Sequence, residues 1–184
     1  FPMIASWGHI ASIKHLLQNR IDIDAEEIGL ALKAAAKYGH DSIVKLLFSH
    51  GISISSSYVR LAFKQAAIHG HAFVVEYLHQ YRTYIFVEDF GLALAKASEK
   101  GHNYVVEMII KNFGNVSTAD VGWALKEAVI HGRSSIVEII LRCRADIFTE
   151  DVVWAFLEAS EQGHISNVTL LLQIRKDISA EDLD

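Results

Sequence analysis

A glycine recurs every 31 residues along this chain, at Gly8, Gly39, Gly70, Gly101, Gly132 and Gly163, with no insertion between copies. A fixed period of this length means that one small structural unit is repeated, and units of that size bury their apolar faces only against their neighbours. Five of the six glycines are followed by histidine (His9, His40, His71, His102 and His164), and Arg133 takes the sixth place.

Other columns keep the same register. Five residues past the glycine stand Ile13, Val44, Val75, Val106, Val137 and Val168. Three further on stand Leu16, Leu47, Leu78, Ile109, Ile140 and Leu171. A third apolar column holds Ile23, Ile54, Ile85, Val116, Ile147 and Ile178. Two alanine columns follow: Ala31, Ala62, Ala93, Ala124 and Ala155, then Ala35, Ala66, Ala97, Ala128 and Ala159.

Each unit reads as two helices. After Gly39, the residues Ile43, Val44, Leu47 and Phe48 form one helical stripe, and after a short segment from His50 to Ser55 the residues Val59, Ala62, Phe63, Ala66 and Ala67 form another. The column glycine suits the position just past a helix, where positive φ is wanted. Asp24, Ser55, Ser117 and Ser179 suit the N-cap of the alanine-bearing helix. Acids stand three residues on at Glu27, Asp120 and Asp182, in the manner of a capping box. Asp89 and Asp151 share that acidic column, with Phe86 and Phe148 at the cap. A basic column, Arg20, Arg82, Arg144 and Arg175, closes the other helix, where bases complement the dipole. Small alanines let the inner helices approach closely, so each unit is a wedge and stacked wedges curve. The expected fold is all-α: a solenoid of stacked helix-turn-helix repeats with a concave face lined by the alanine-bearing helices.

Composition narrows the function. With hydrophobic residues at 51% and charged residues at 21%, the chain has a core to build and lacks the signature of disorder. A net charge of −5 with no basic stripe disfavours nucleic acid as a partner. A single cysteine, Cys143, allows no internal disulfide and suits a reducing compartment, so an intracellular and cytoplasmic setting is expected. No apolar run is long enough to cross a bilayer.

The motifs "GHDSIVKLLFSHG" and "GHNYVVEMIIKNFG", with "ALKAAAKYGH" and "ALAKASEKGH" before the glycine, resemble the ankyrin repeat family over nearly the whole chain. The match departs from the family pattern in two ways. The T-P-L-H signature is replaced by "LALK", "LAFK", "LALA", "WALK" and "WAFL", and the unit is shorter than the family's roughly 33 residues. The shortening falls where ankyrin repeats carry a β-hairpin finger, so the fingers are expected to be short or absent. The resemblance implies a single ankyrin-like repeat domain over 1–184, read as a piece of a longer protein. It also implies a protein–protein interaction scaffold that is not an enzyme. The alternative is the targeting or regulatory ankyrin region of a larger multidomain enzyme or a pathogen effector, in the latter case placed in a host cytosol.

Candidate sites divide into several kinds. The Gly-His histidines recur once per unit, roughly 8–10 Å apart, too far to share a zinc ion that binds nitrogen at about 2.0–2.1 Å. Each is expected to hydrogen-bond the backbone of its own or the next turn. His69 and His131 either line the concave face or cap the carbonyls of their own helices. Cys143, late in the outer helix and without a catalytic context, reads as a free thiol. Trp123 and Trp154 share a column with Leu30, Leu61 and Leu92, and read as core packing or, more sharply, as a paired aromatic anchor. Three columns vary from unit to unit: Lys33, Lys64, Ala95, Lys126 and Leu157; Ala34, Gln65, Lys96, Glu127 and Glu158; Lys37, Ile68, Glu99, Ile130 and Glu161. They run from basic near Lys33, Lys37 and Lys64 to acidic near Glu127, Glu158 and Glu161. The residues expected to bind the partner protein are Lys33, Tyr38, Lys64, His69, Trp123, Lys126, His131 and Trp154. No catalytic group, metal, cofactor or small-molecule substrate is expected, since no phosphate-binding loop, nucleophile elbow or metal cluster is present.

Overall fold

A computed structural model describes residues 1–19, 23–51, 53–81, 84–114 and 116–174. All regular structure among them is helical, with no strand and hence no β-hairpin finger among the described residues. The chain divides into two compact units, Phe1–Asp89 and Phe90–Asp184.

The first unit contains α1 (Pro2–Ser6), α2 (Ile10–Asn19), α3 (Ala25–Lys37), α4 (Asp41–Ser49), α5 (Ser56–Ile68) and α6 (Ala72–His79). The alanine-bearing helices α1, α3 and α5 stack in chain order as an inner row, and α2, α4 and α6 stack as an outer row. Helix α7 (Val87–Lys100) begins at the unit boundary. The second unit continues with α8 (Asn103–Asn112), α9 (Thr118–Ile130), α10 (Ser134–Cys143), α11 (Thr149–Glu161) and α12 (Ile165–Ile174). There α9 stacks on α11, while α8, α10 and α12 form the outer row.

Packing follows the columns. All ten alanines of the two alanine columns have no solvent exposure. The valine and leucine columns of the outer helices are buried as well, with Leu16 and Val168 half-buried. Every column glycine has positive φ, for example +71° at Gly39. A residue with a Cβ strains in that region, and glycine does not.

The same glycines do a second job that the period alone does not reveal. The histidines His40, His71 and His164 reach back one repeat, not into their own or the next turn. His40 Nε2 donates to Ser6 O at 2.9 Å, His71 Nε2 to Lys37 O at 2.9 Å, and His164 Nδ1 to Val129 O at 2.9 Å. Arg133, the one departure from histidine, does the same with Nε to Glu99 O at 3.1 Å. These carbonyls lie in the last turn of the preceding inner helix, where no intrahelical N–H remains to satisfy them. The ring reaches them by passing over the preceding repeat's glycine. A Cβ on Gly8 would lie 2.8 Å from His40 Cε1, and one on Gly39 would lie 2.7 Å from His71 Cε1. The positions fit because the glycine presents no side chain there.

The caps are partly as expected. Asp24 Oδ1 accepts from Glu27 N at 2.7 Å. Ser117 Oγ accepts from Asp120 N at 3.1 Å and donates to Asp120 Oδ2 at 2.6 Å. Ser55 makes no such bond, because its hydroxyl pairs with that of Ser57 at 2.9 Å. Arg144 does not sit on the carbonyls of its own helix. The backbone leaves helical conformation there (φ −133°, ψ 99°), and the guanidinium bonds Asp146 twice at 2.7 Å and Val116 O at 3.1 Å, pinning two successive turns together. That bonding holds the Asp146 carboxyl well below its ordinary range. Arg20, Arg82, Arg175, Ile178, Ser179 and Asp182 lie outside the described residues.

One column position departs from the packing rule. Ile43, Val74, Val105 and Ile136 are buried, and Asn167 takes the same place in α12 with no solvent exposure and neither amide atom hydrogen-bonded. Two predictions follow from this packing. Asn167→Val removes an unsatisfied buried amide and is expected to stabilise by about 1–3 kcal/mol in urea unfolding. Gly39→Ala adds both backbone strain and a clash with the His71 ring, whereas Gly51→Ala, at φ +84° with open space around it, adds strain alone. Gly39→Ala is therefore expected to cost more than the roughly 1–2 kcal/mol of the control. A double-mutant cycle with His71→Ala should recover part of the difference; strict additivity would refute the steric coupling.

Candidate functional site

The inner helices have two faces. In α9 the buried positions are Val121, Gly122, Ala124, Leu125, Ala128 and Val129. At 100° per residue, Trp123, Lys126, Glu127 and Ile130 fall on the opposite side. Trp123 is 39% exposed and Ile130 41%. The tryptophan column is therefore not core, contrary to the simpler expectation. It points away from the buried stripe, as do Leu30 and Leu61 in the same column. The physical reason is the one-residue offset from the alanine column, which rotates these side chains out of the helix–helix contact.

The corresponding positions in α11 are Trp154, Leu157, Glu158 and Glu161, with Trp154 half-buried and Leu157 43% exposed. Trp123 Nε1 donates to Glu127 Oε1 at 3.1 Å. Lys126 crosses from α9 to α11, pairing with Asp151 at 2.6 Å and lying 5.5 Å from the centre of the Trp154 ring. A cleft of about 340 Å³ opens along α11, lined by Thr149, Glu150, Val153, Trp154 and Leu157. In the first unit, α3 and α5 present Leu30, Lys33, Leu61 and Lys64 at the matching positions.

Lys64 has a structural partner as well. It lies 3.2 Å from Asp89, which also receives Arg60 through two bonds of 2.7 and 3.2 Å and the backbone N–H of Phe86 at 3.0 Å. The Asp89 side chain is only 3% exposed. Burial alone would raise its pKa, but the bonds from Arg60, Phe86 and Lys64 outweigh it and hold the carboxyl below its ordinary value. Sequence reasoning placed Asp89 in the acidic column and missed this cluster. The missed signal is a second glycine column. Gly29, Gly91 and Gly122 each lie directly under the side chain 29 residues later, Tyr58, Asp120 and Asp151, and Arg60 replaces glycine opposite Asp89.

The remaining expected binding residues are spread out. Tyr38, 52% exposed, stacks loosely on the His40 ring at 6.4 Å between centroids, with the Lys37 ammonium 5.3 Å from the ring centre. Lys33 is half-buried. His69 and His131 both cap their own helices, donating from Nδ1 to Gln65 O and Glu127 O at 2.9 Å. Cys143 is a free, half-buried thiol at the end of α10. Glu99, held at about 2 by Lys100 and then Lys96, is bound up in its own ion-pair cluster. Among the described residues no group of three or more His, Cys, Asp or Glu could hold a metal ion, and no helix is long and apolar enough to cross a membrane.

Paired helices repeated in register, held by side chain-to-backbone ties between neighbours and leaving one face of each inner helix outside the helix–helix contact, define a tandem helical repeat protein. Residues 3–89 match the family model for ankyrin repeats in three copies, a span that coincides closely with the first compact unit. Over that span the chain matches the ankyrin repeat family, and the same columns run on through the second unit. No curated protein matches the chain significantly. Ankyrin repeats are generally protein–protein interaction modules, and the family is typically non-catalytic.

The Asp89 cluster has a pH consequence. A carboxyl with a depressed folded-state pKa contributes stability that is fully present above its unfolded value, about 3.9, and is lost as pH falls through the folded value. Asp89→Asn is expected to destabilise by about 1–3 kcal/mol at neutral pH. The gap between variant and parent should close on acidification below about pH 4, read as thermal midpoint against pH. A gap that persists unchanged in acid would show that the carboxylate charge is not what matters.

Proposed function

We propose that this chain is a protein-interaction scaffold whose inner-helix face docks a partner protein, with no catalytic role of its own. The observation that carries the reading is the outward stripe on the inner helices. Trp123, Ile130, Trp154 and Leu157 in the second unit, and Leu30 and Leu61 in the first, are large apolar side chains that repeat packing does not consume. Stability does not require them there, since their column lies opposite the buried alanines. Partly exposed tryptophans beside charged groups are the residue types that dominate binding energy at interfaces. Lys33, Tyr38, Trp123 and Trp154 belong to this surface. Lys64, Lys126, His69 and His131 also hold their own fold together, so their substitution tests binding and stability at once.

The test is site-directed photo-crosslinking in cell extract. A photoreactive phenylalanine analogue is placed at Trp123, Leu157 or Leu30 on the inner face, and at Phe73 or Tyr104 on the exposed outer face. The expected result is one shared adduct from the inner positions and none from the outer positions. Adducts confined to Phe73 and Tyr104 would place the docking face on the outer helices and sink the reading.

A further inference from the structure

The two units offer different chemistry on corresponding helices. Helices α3 and α5 together carry Lys33, Lys37, Arg60 and Lys64 against Glu26 and Glu27. Helices α9 and α11 carry six carboxylates, Asp120, Glu127, Glu150, Asp151, Glu158 and Glu161, against the single Lys126. That lysine is already neutralised by Asp151 at 2.6 Å. Asp120 is occupied in its cap. Glu158 takes a bond from the Gln162 amide, which is neutral and leaves its charge in place. Glu150, Glu158 and Glu161 have no cationic partner among the described residues, and helix α11 contains no basic residue at all.

These uncompensated charges border the apolar surface. Each helix shows its face at i, i+3, i+4 and i+7: Trp123, Lys126, Glu127 and Ile130 on α9, and Trp154, Leu157, Glu158 and Glu161 on α11. The cleft along α11 has Trp154 and Leu157 in its wall with Glu150 at its edge. A surface of tryptophan and leucine rimmed by carboxylates repels phosphate backbones and anionic lipid. It attracts a chain that supplies cations at its edges and apolar side chains at its centre. Lys126 over the Trp154 ring shows that this tryptophan already accepts a cation on its face.

The geometry points to a specific occupant of the α9–α11 face: a segment of a partner protein in which lysine or arginine alternates with apolar side chains, as on a basic amphipathic helix. This rests on the reading that the inner-helix face is the docking face, and adds the chemistry of what docks on the second unit. The apolar side chains of the segment pack on Trp123, Trp154 and Leu157, and its cations meet Glu150, Glu158 and Glu161. Binding of this kind weakens with salt, since the rim charges are exposed and screened.

The test uses the full chain and three synthetic probes: an amphipathic peptide of leucine and lysine, the same peptide with glutamate for lysine, and oligolysine. Affinities are measured by fluorescence anisotropy at low and high salt. The proposal expects the leucine–lysine peptide to bind best. The double change Glu158→Lys with Glu161→Lys should weaken it by about tenfold or more, as should Trp154→Ala. Glu76→Lys on the outer helix α6 should leave it unchanged. Because Glu158 and Glu161 hold no ion pair, their reversal keeps the fold, which circular dichroism checks. Equal binding of the glutamate peptide, oligolysine binding as tightly as the amphipathic peptide, or no binding of the leucine–lysine peptide each overturns the proposal. So does a dimer in sedimentation that dissolves on the charge reversal, since the occupant is then a second copy of this chain. If the peptide fails while Trp123 still crosslinks to a partner, only the basic-segment assignment falls. If both fail, the docking face falls with it.

Discussion

The whole arrangement depends on one contact repeated between neighbours, a side chain at the start of one outer helix reaching back over a glycine to a carbonyl at the end of the preceding inner helix. An inner helix of thirteen residues, such as α3, ends with carbonyls that its own backbone cannot satisfy. His40, His71, Arg133 and His164 satisfy one of these in the repeat before them. The bond ties one repeat to the next, and at Gly8 and Gly39 the ring occupies the space that a Cβ would take. At those two positions glycine answers two independent demands, its own positive φ and the room needed by its neighbour.

A second contact of the same kind operates at the start of the inner helices. Gly29, Gly91 and Gly122 sit inside helices, where glycine costs about 1 kcal/mol relative to alanine. They persist because a Cβ would run into Tyr58, Asp120 or Asp151 of the following repeat. In one repeat the solution is inverted. Arg60 fills the place of the glycine and turns a close approach into a two-bond ion pair with Asp89. Lys64 and Lys126 reinforce the same seam from the next turn of the helix. Polar side chains thus join the repeats along both edges, and alanine fills the space between them.

What this packing consumes decides what is left for recognition. The stripe from Ala124 to Ala128 is spent on neighbouring helices, and so is the acidic column at Asp89 and Asp151. The opposite stripe of each inner helix lies outside the helix–helix contact, apart from lysines such as Lys64 and Lys126 that reach the next repeat, and there the repeats cease to resemble one another: lysines accompany leucine in α3 and α5, and glutamates accompany tryptophan in α9 and α11. Columns under mutual packing constraint stay uniform and columns facing outward diverge, which is why variable positions and exposed positions coincide.

The sequence by itself determined the repeat, its length, the helix pair within it and the burial of the alanine and valine columns. Each of these follows from local periodicity and from conformational preference, and both are written in residue order. It also contained the outward direction of Trp123, since the helical wheel places that residue opposite Ala124 and Leu125, although its size suggested core. Only the tertiary structure decided where His40, His71 and His164 bond, that Asp89 gathers Arg60, Lys64 and the Phe86 amide, that Arg144 leaves its own helix for Val116, and that Asn167 is buried without a partner. Apart from the local Phe86 amide, these contacts join residues about one repeat apart in the chain, or turn on how closely two helices approach. A period fixes which residues are equivalent, whereas the distance and rotation between successive copies fix which of them meet.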